Sequence, residues 1–109
     1  MAIRRAERVL EIEFDDGASF RLPAELLRVE SPSAEVQNHG GPKNIPGGKH
    51  DVALNGAEAV GNYALKLIFD DGHDSGLYTW DYLYELGRNQ KTRMSAYLKA
   101  LDERGLKRN

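Results

Sequence analysis

One short phrase occurs twice in this chain, and it constrains the fold more than any other feature. Phe14-Asp15-Asp16-Gly17 recurs as Phe69-Asp70-Asp71-Gly72. Each copy ends an alternating strand. Leu10, Ile12 and Phe14 are separated by Glu11 and Glu13; Tyr63, Leu65, Leu67 and Phe69 are separated by Ala64, Lys66 and Ile68. Strict alternation marks a strand with one face buried. Asp-Gly then closes a hairpin, because glycine accepts positive φ. Aspartate in such turns bonds its own backbone. Asp15, Asp16, Asp70 and Asp71 therefore read as turn formers, not as paired carboxylates for acid–base work.

A return strand and a helix follow each glycine. In the first copy these are Ser19–Leu22 and Ala24–Val29, with Pro23 suited to the first helical turn. In the second they are Leu77-Tyr78 and Trp80–Leu86, with Thr79 as N-cap and Gly87 as the stop. A hairpin–helix unit used twice predicts an α+β fold of antiparallel strands covered by short helices. A last amphipathic helix over Gln90–Arg104 carries Met94, Tyr97, Leu98 and Leu101 on one stripe and ends at Gly105.

The units are joined by a different kind of sequence. Ser31-Pro32-Ser33 stops the first helix, and Ala34–Gln37 reads as a short extended piece. Asn38–His50 holds four glycines, two prolines and no acid, which predicts a loop. Gly48-Lys49 suggests a phosphate loop, but Lys43 stands where that pattern needs glycine and His50 where it needs Ser or Thr. Asp51–Leu54 and Ala57–Val60 read as weak strands interrupted at Asn55-Gly56, a second candidate hairpin turn.

With 109 residues the expectation is one domain over 1–109, its core at about 8–88 and a basic helix and tail at 89–109. The absence of cysteine excludes disulfides, thiol catalysis and any cysteine-based zinc or iron–sulfur site within the chain. Met1–Arg8 has arginines but no apolar stretch behind them, and no apolar run reaches membrane length. A cytoplasmic location with no membrane partner is expected. Net charge is -2, distributed unevenly: residues 88–109 carry seven bases and two acids, residues 1–87 eight bases and fifteen acids. No aromatics interleave the basic end, so it reads as a solvated helix rather than a nucleic-acid surface.

Two groups stand out as candidate sites. Tyr78, Trp80, Tyr82 and Tyr84 cluster on the second unit. Most of this is expected core, but Tyr84 points away from Leu83 and Trp80. Trp80, Tyr78 and Tyr84 are therefore the candidate partner-binding residues. His73 lies between Asp71 and Asp74, and His39 and His50 lie in the glycine-rich loop. His73 and His39 are the candidate metal ligands, for zinc or iron. The structural alternative for His73 is a turn residue that braces its hairpin against the Ser31–Val36 segment. No nucleophile–base pair is present, so no enzyme is expected.

Three stretches carry a family resemblance: Leu27–Gln37, Val60–Leu65, and Phe69–Leu83 with its Asp71-Gly72-His73-Asp74-Ser75 element and aromatic-rich helix. Over about residues 8–88 the chain resembles small bacterial proteins related to the N-terminal domain of gamma-butyrobetaine hydroxylase. The resemblance implies an α+β domain that is not the catalytic one in the hydroxylases, and a context of iron–sulfur assembly through an attached P-loop carrier ATPase. It also implies a zinc site of three cysteines and a histidine, whose positions fall here on Ser31, Ser33, Val36 and His73. The expected function is a non-catalytic interaction module that docks on a protein partner or forms a homodimer. The alternative is a metal-handling accessory factor using His73.

Overall fold

The computed structural model describes residues 2–32 and 47–107. Ser33, Val36, His39, the extended piece at 34–37 and most of the glycine-rich loop lie outside the described residues. Three strands open the chain: β1 (Ala2–Arg4), β2 (Val9–Glu13) and β3 (Ser19–Pro23), followed by α1 (Ala24–Val29). After the connection come β4 (Leu54–Val60), β5 (Ala64–Phe69), β6 (Leu77–Thr79), α2 (Trp80–Arg88) and α3 (Gln90–Glu103). The strands form two antiparallel three-stranded sheets, β1-β2-β3 and β4-β5-β6. The α+β expectation holds, and the repeat proves longer than the sequence reading had it. Three strands and a helix occur twice, not one hairpin and a helix.

The pairing registers fix which positions correspond. Glu11 pairs with Arg21 and Lys66 with Leu77; Val9 pairs with Pro23 and Ala64 with Thr79. Pro23 and Thr79 are then equivalent N-caps, and Arg28 and Tyr84 are each the fifth residue of their helix. The turns also match in detail. Gly17 and Gly72 both have φ 88°. Asp16 Oδ1 accepts the Ala18 N–H at 2.9 Å, and Asp71 Oδ1 accepts the His73 N–H at 3.1 Å.

Contacts from both helices cross between the two units. Tyr84 of α2 packs edge-on to Phe14 and Phe20 of the first hairpin, with ring centroids 4.9 and 5.4 Å away, and its hydroxyl donates to Asp16 Oδ2 at 2.6 Å. Conversely, Arg28 of α1 donates from Nε to Asp71 Oδ2 at 2.8 Å, and the buried Tyr78 hydroxyl donates to the Leu27 carbonyl. Leu10, Leu22, Leu26, Leu27, Leu65, Leu67, Phe69, Tyr78, Leu83 and Leu86 form the shared core. A smaller cluster of Val29, Tyr97 and Leu101 docks α3, with Met94 touching both clusters.

Three local readings need correcting. Leu54–Val60 is one strand with an irregularity at Asn55, not two strands around a turn. The backbone pairs with β5 on both sides of Asn55-Gly56, which a two-residue turn would prevent. Gly87 does not stop α2, which runs on to Arg88. A Cβ there would meet three carbons of the Phe20 ring inside 3.0 Å, so glycine permits close approach of helix and sheet. Tyr84 is not an outward aromatic, because the first hairpin covers it.

Gly87→Ala should therefore cost about 1–3 kcal/mol through overpacking. The melting temperature should fall by several degrees, about 4–8 °C per kcal/mol for a domain of this size. Thermal unfolding followed by circular dichroism tests this; an unchanged melting point would show that Phe20 moves aside freely.

Candidate functional site

The second turn gathers the polar residues that the sequence brings into view. Asp71 Oδ2 accepts from Arg28 Nε at 2.8 Å and from Lys49 Nζ at 2.7 Å, and its Oδ1 holds the His73 backbone. Partial burial pushes this carboxyl up. Lys49, the His73 N–H and Arg28 outweigh that and hold it at about 2, below its ordinary 3.8. The equivalent Asp16 is also lowered, first by the Tyr84 hydroxyl and then by the Ala18 N–H, and Tyr84 is pushed up in return. Arg28 Nη1 is buried without a hydrogen-bond partner.

His73 is 7% exposed, and its Nε2 lies 2.8 Å from Ser31 Oγ. The imidazole thus joins the turn to the chain just beyond α1, as the bracing reading anticipated. The reason emerges from the repeat. Phe20 and Gly87 meet in one half of the molecule; their counterparts Gly76 and Ser31 meet in the other. A Cβ on Gly76 would stand 2.5 Å from Ser31 Oγ and 3.1 Å from Pro32 Cδ. The bulk has moved from the strand to the far side of the contact, and Ser31 with His73 fills the junction that the Phe20 ring fills elsewhere.

The four positions implied for zinc do not fit that ion. The Ser31 hydroxyl is hydrogen-bonded to the imidazole that would serve as a ligand, and Val36 has no donor atom. Zinc takes thiolate, imidazole and carboxylate ligands in a tetrahedron. Among the described residues no three His, Asp or Glu side chains converge as a metal site.

Beside α3, Arg93 binds Glu30 and Glu85, and the Tyr82 hydroxyl donates to the Glu30 carbonyl. Burial, followed by Glu30, pushes Tyr82 up to about 12. A cleft of about 280 Å³ lined by Glu7, Arg8, Val9, Pro23, Glu25 and His50 places His50 Nδ1 3.7 Å from Glu25 Oε1.

The candidate partner-binding aromatics separate. Tyr78 is fully buried and belongs to the core. Tyr84 is half-buried against the first hairpin. Trp80 is half-buried at the end of the second sheet, where its backbone N–H reaches Tyr63 O and its indole N–H donates to Asn62 O at 2.9 Å.

Reading by strands alone missed the outer face of that sheet. Three rows cross it: Glu58–Lys66–Leu77, Val60–Ala64–Thr79 and Gly56–Ile68. Leu77 is 41% exposed, Tyr63 at the adjoining turn is 56% exposed, and Val60 and Ile68 are half-buried. The first sheet has Arg4, Glu13 and Arg21 where this one has Val60, Ile68 and Leu77. Arg4, Glu11, Arg21 and Glu7 form ion pairs across the first sheet. Comparing the outward positions of the two hairpins was the signal that could have exposed this difference.

A three-strand-and-helix unit used twice, with contacts crossing between the copies, defines an α+β domain. The chain belongs to the family described as gamma-butyrobetaine hydroxylase-like, N-terminal, whose match covers residues 1–84. Two structures solved in solution by NMR are similar at 50% and 49% identity, each with a TM-score of 0.85. They cover 100% and 98% of this chain, and the chain covers 88% and 80% of theirs. A crystal structure of a protein of unknown function from Acidithiobacillus ferrooxidans is 39% identical with a TM-score of 0.65, covering 80% of this chain and 90% of its own. Among curated proteins nothing matches. No helix among the described residues is long and apolar enough to cross a membrane.

Asp71 links this geometry to pH. Its folded pKa lies below the unfolded value, so its contribution is complete above about pH 4 and disappears as the pH falls toward about 2. Asp71→Asn should cost about 1 kcal/mol near neutral pH, after allowance for solvent screening of a partly exposed group, and much less at about pH 2. Urea unfolding at both pH values decides it; an equal cost at both would mean that the carboxylate charge is not what stabilises the turn. A Ser31→Ala and His73→Ala double-mutant cycle should give a coupling of about 1 kcal/mol. Strict additivity in the same unfolding assay would remove the brace.

Proposed function

We propose that the chain is a non-catalytic interaction module that docks on another protein through the outer face of the β4-β5-β6 sheet. One observation carries this. The first sheet uses Arg4, Glu13 and Arg21 at the positions where the second uses Val60, Ile68 and Leu77. The fold therefore does not require apolar residues there. The two sheets serve as each other's control: on the second, Val60, Ile68 and Leu77 surround Lys66 where the first carries charge, and exposed apolar side chains such as Leu77 favour a contact surface. Trp80 and Tyr63 extend the face at its β4–β5 end. The hub around Asp71 and His73 holds the sheet to α1 and has a structural role in this reading.

Site-specific photo-crosslinking in the native host tests it. A photoreactive residue at position 77 should crosslink to a discrete protein, and one at the equivalent position 21 should not. Equal labelling at the two positions, or none at 77, would remove the docking face.

A further inference from the structure

A sheet edge presents backbone N–H and C=O groups that no strand pairs, and proteins blunt such edges with short strands, proline, lysine or bulges. Two three-stranded sheets have four edges: β1 and β3 in the first, β4 and β6 in the second. β1 and β6 are three residues long, and β3 ends on Pro23, which has no N–H to offer. β4 differs from all three. Leu54–Val60 is seven residues long and has no proline, lysine or arginine, and Gly56, Ala57 and Ala59 are too small to shield the backbone. Its irregularity lies at one end, at Asn55, where Arg5 Nη1 reaches the Leu54 carbonyl at 3.4 Å and also the Asn55 side chain. From Gly56 to Val60, among the described residues, the backbone bonds to no element but β5. A free edge of this length is a template for another strand.

The sequence of the strand selects the occupant. A two-fold axis perpendicular to the sheet would pair β4 antiparallel with β4 of a second copy. Full overlap then places Ala57 on the axis, Glu58 opposite Gly56 and Ala59 opposite Asn55. The one charge of the strand faces a glycine and keeps Lys66 of β5 on its other side. Small side chains meet at the centre. Centring the pair on Glu58 instead would set two carboxylates directly opposite each other, which destabilises a strand pair.

We propose that two copies of this chain pair antiparallel through β4, centred on Ala57, to form one six-stranded sheet in the order β6-β5-β4-β4-β5-β6. One strand pair is smaller than the roughly 800 Å² per partner of a standard interface, so the dimer is reversible and depends on concentration. Leu77 lies on the far edge of each sheet, about 24 Å from its copy at the usual strand spacing. The pairing is therefore independent of docking at position 77.

The register is measurable by cysteine substitution, because the chain has no cysteine of its own. Directly opposed residues of antiparallel strands have Cα atoms about 4.5–5.5 Å apart, within disulfide reach. Under mild oxidation Ala57→Cys should give a disulfide-linked dimer. Ala59→Cys should not, since the two copies of position 59 stand about 14 Å apart along the strands. Sedimentation of the unaltered chain should show dimer rising with concentration. Ala59 is exposed, and in this register it faces Asn55 of the second copy, beside Arg5. Ala59→Lys sets like charges together and should weaken the dimer at least about tenfold, whereas Ala59→Glu should keep or strengthen it. Circular dichroism should report an unchanged fold for both.

Monomer at every concentration up to about 1 mM would overturn the proposal. So would crosslinking through position 59 and not 57, or a dimer indifferent to both charge variants. A photoreactive residue at position 59 that captures a foreign protein, with the chain itself monomeric, would assign the edge to another chain and remove the second copy.

Discussion

The described structure depends on the contacts that α1 and α2 make across the two units. In both cases the second aspartate of the Asp-Asp-Gly turn receives the fifth residue of the other unit's helix. Asp16 and Asp71 therefore perform two tasks with two oxygens. One oxygen closes the turn through the backbone N–H two residues on; the other marks where the partner helix sits. A turn that reads locally as a hairpin signal is also the long-range clamp. Small antiparallel sheets are marginal until a helix packs on them, so neither half would keep this arrangement alone.

The same contacts explain why the two halves could diverge without loss of fit. The clamp at Asp16 is a phenol–carboxylate hydrogen bond beside two phenylalanine rings. The clamp at Asp71 is a guanidinium–carboxylate pair reinforced by Lys49. Both bonds are charge-assisted, since each has a carboxylate acceptor; the first adds aromatic packing and the second a further cation. At the neighbouring contact, Phe20 over Gly87 becomes Gly76 beside Ser31, with His73 behind it. Volume is maintained at each junction while its chemistry changes from apolar to polar. His73, in the most distinctive element of the sequence, takes part in this junction through its contact with Ser31 Oγ.

Much of this was legible in the residues, and what was not has a physical reason. Alternation in Leu10–Phe14 and Leu65–Phe69 located the central strands, because period two is local. Thr79 as a cap and Gly105 as a helix end were likewise local matters: the Thr79 hydroxyl accepts the Tyr82 N–H, and Gly105 has positive φ. Gly87 was misread because its reason lies on Phe20, 67 positions earlier in the numbering. Tyr78, Tyr84 and Trp80 looked equivalent as aromatics, and only the contacts between the units separate a core phenol, a clamp and a residue at the edge of a face. Ser31 with His73 was visible as a pairing of segments, but the hydroxyl–imidazole bond at its centre could not be distinguished from a ligand pair without coordinates.

An internal repeat lets scaffold be separated from function without any second protein. Positions alike in both copies, such as the glycines at φ 88° and the paired aspartates, are those the unit needs to form. Buried positions that differ, such as Phe20 and Gly76, differ together with the residue they touch, which is what close packing demands. Outward positions touch little in the fold, so packing gives no reason for Arg4, Glu13 and Arg21 to become Val60, Ile68 and Leu77. Burying apolar surface is favourable only where something covers it, and within this chain a sheet of identical topology manages without it. In the proposed reading that difference reflects a partner, with the contact surface on the second unit and the first as its scaffold.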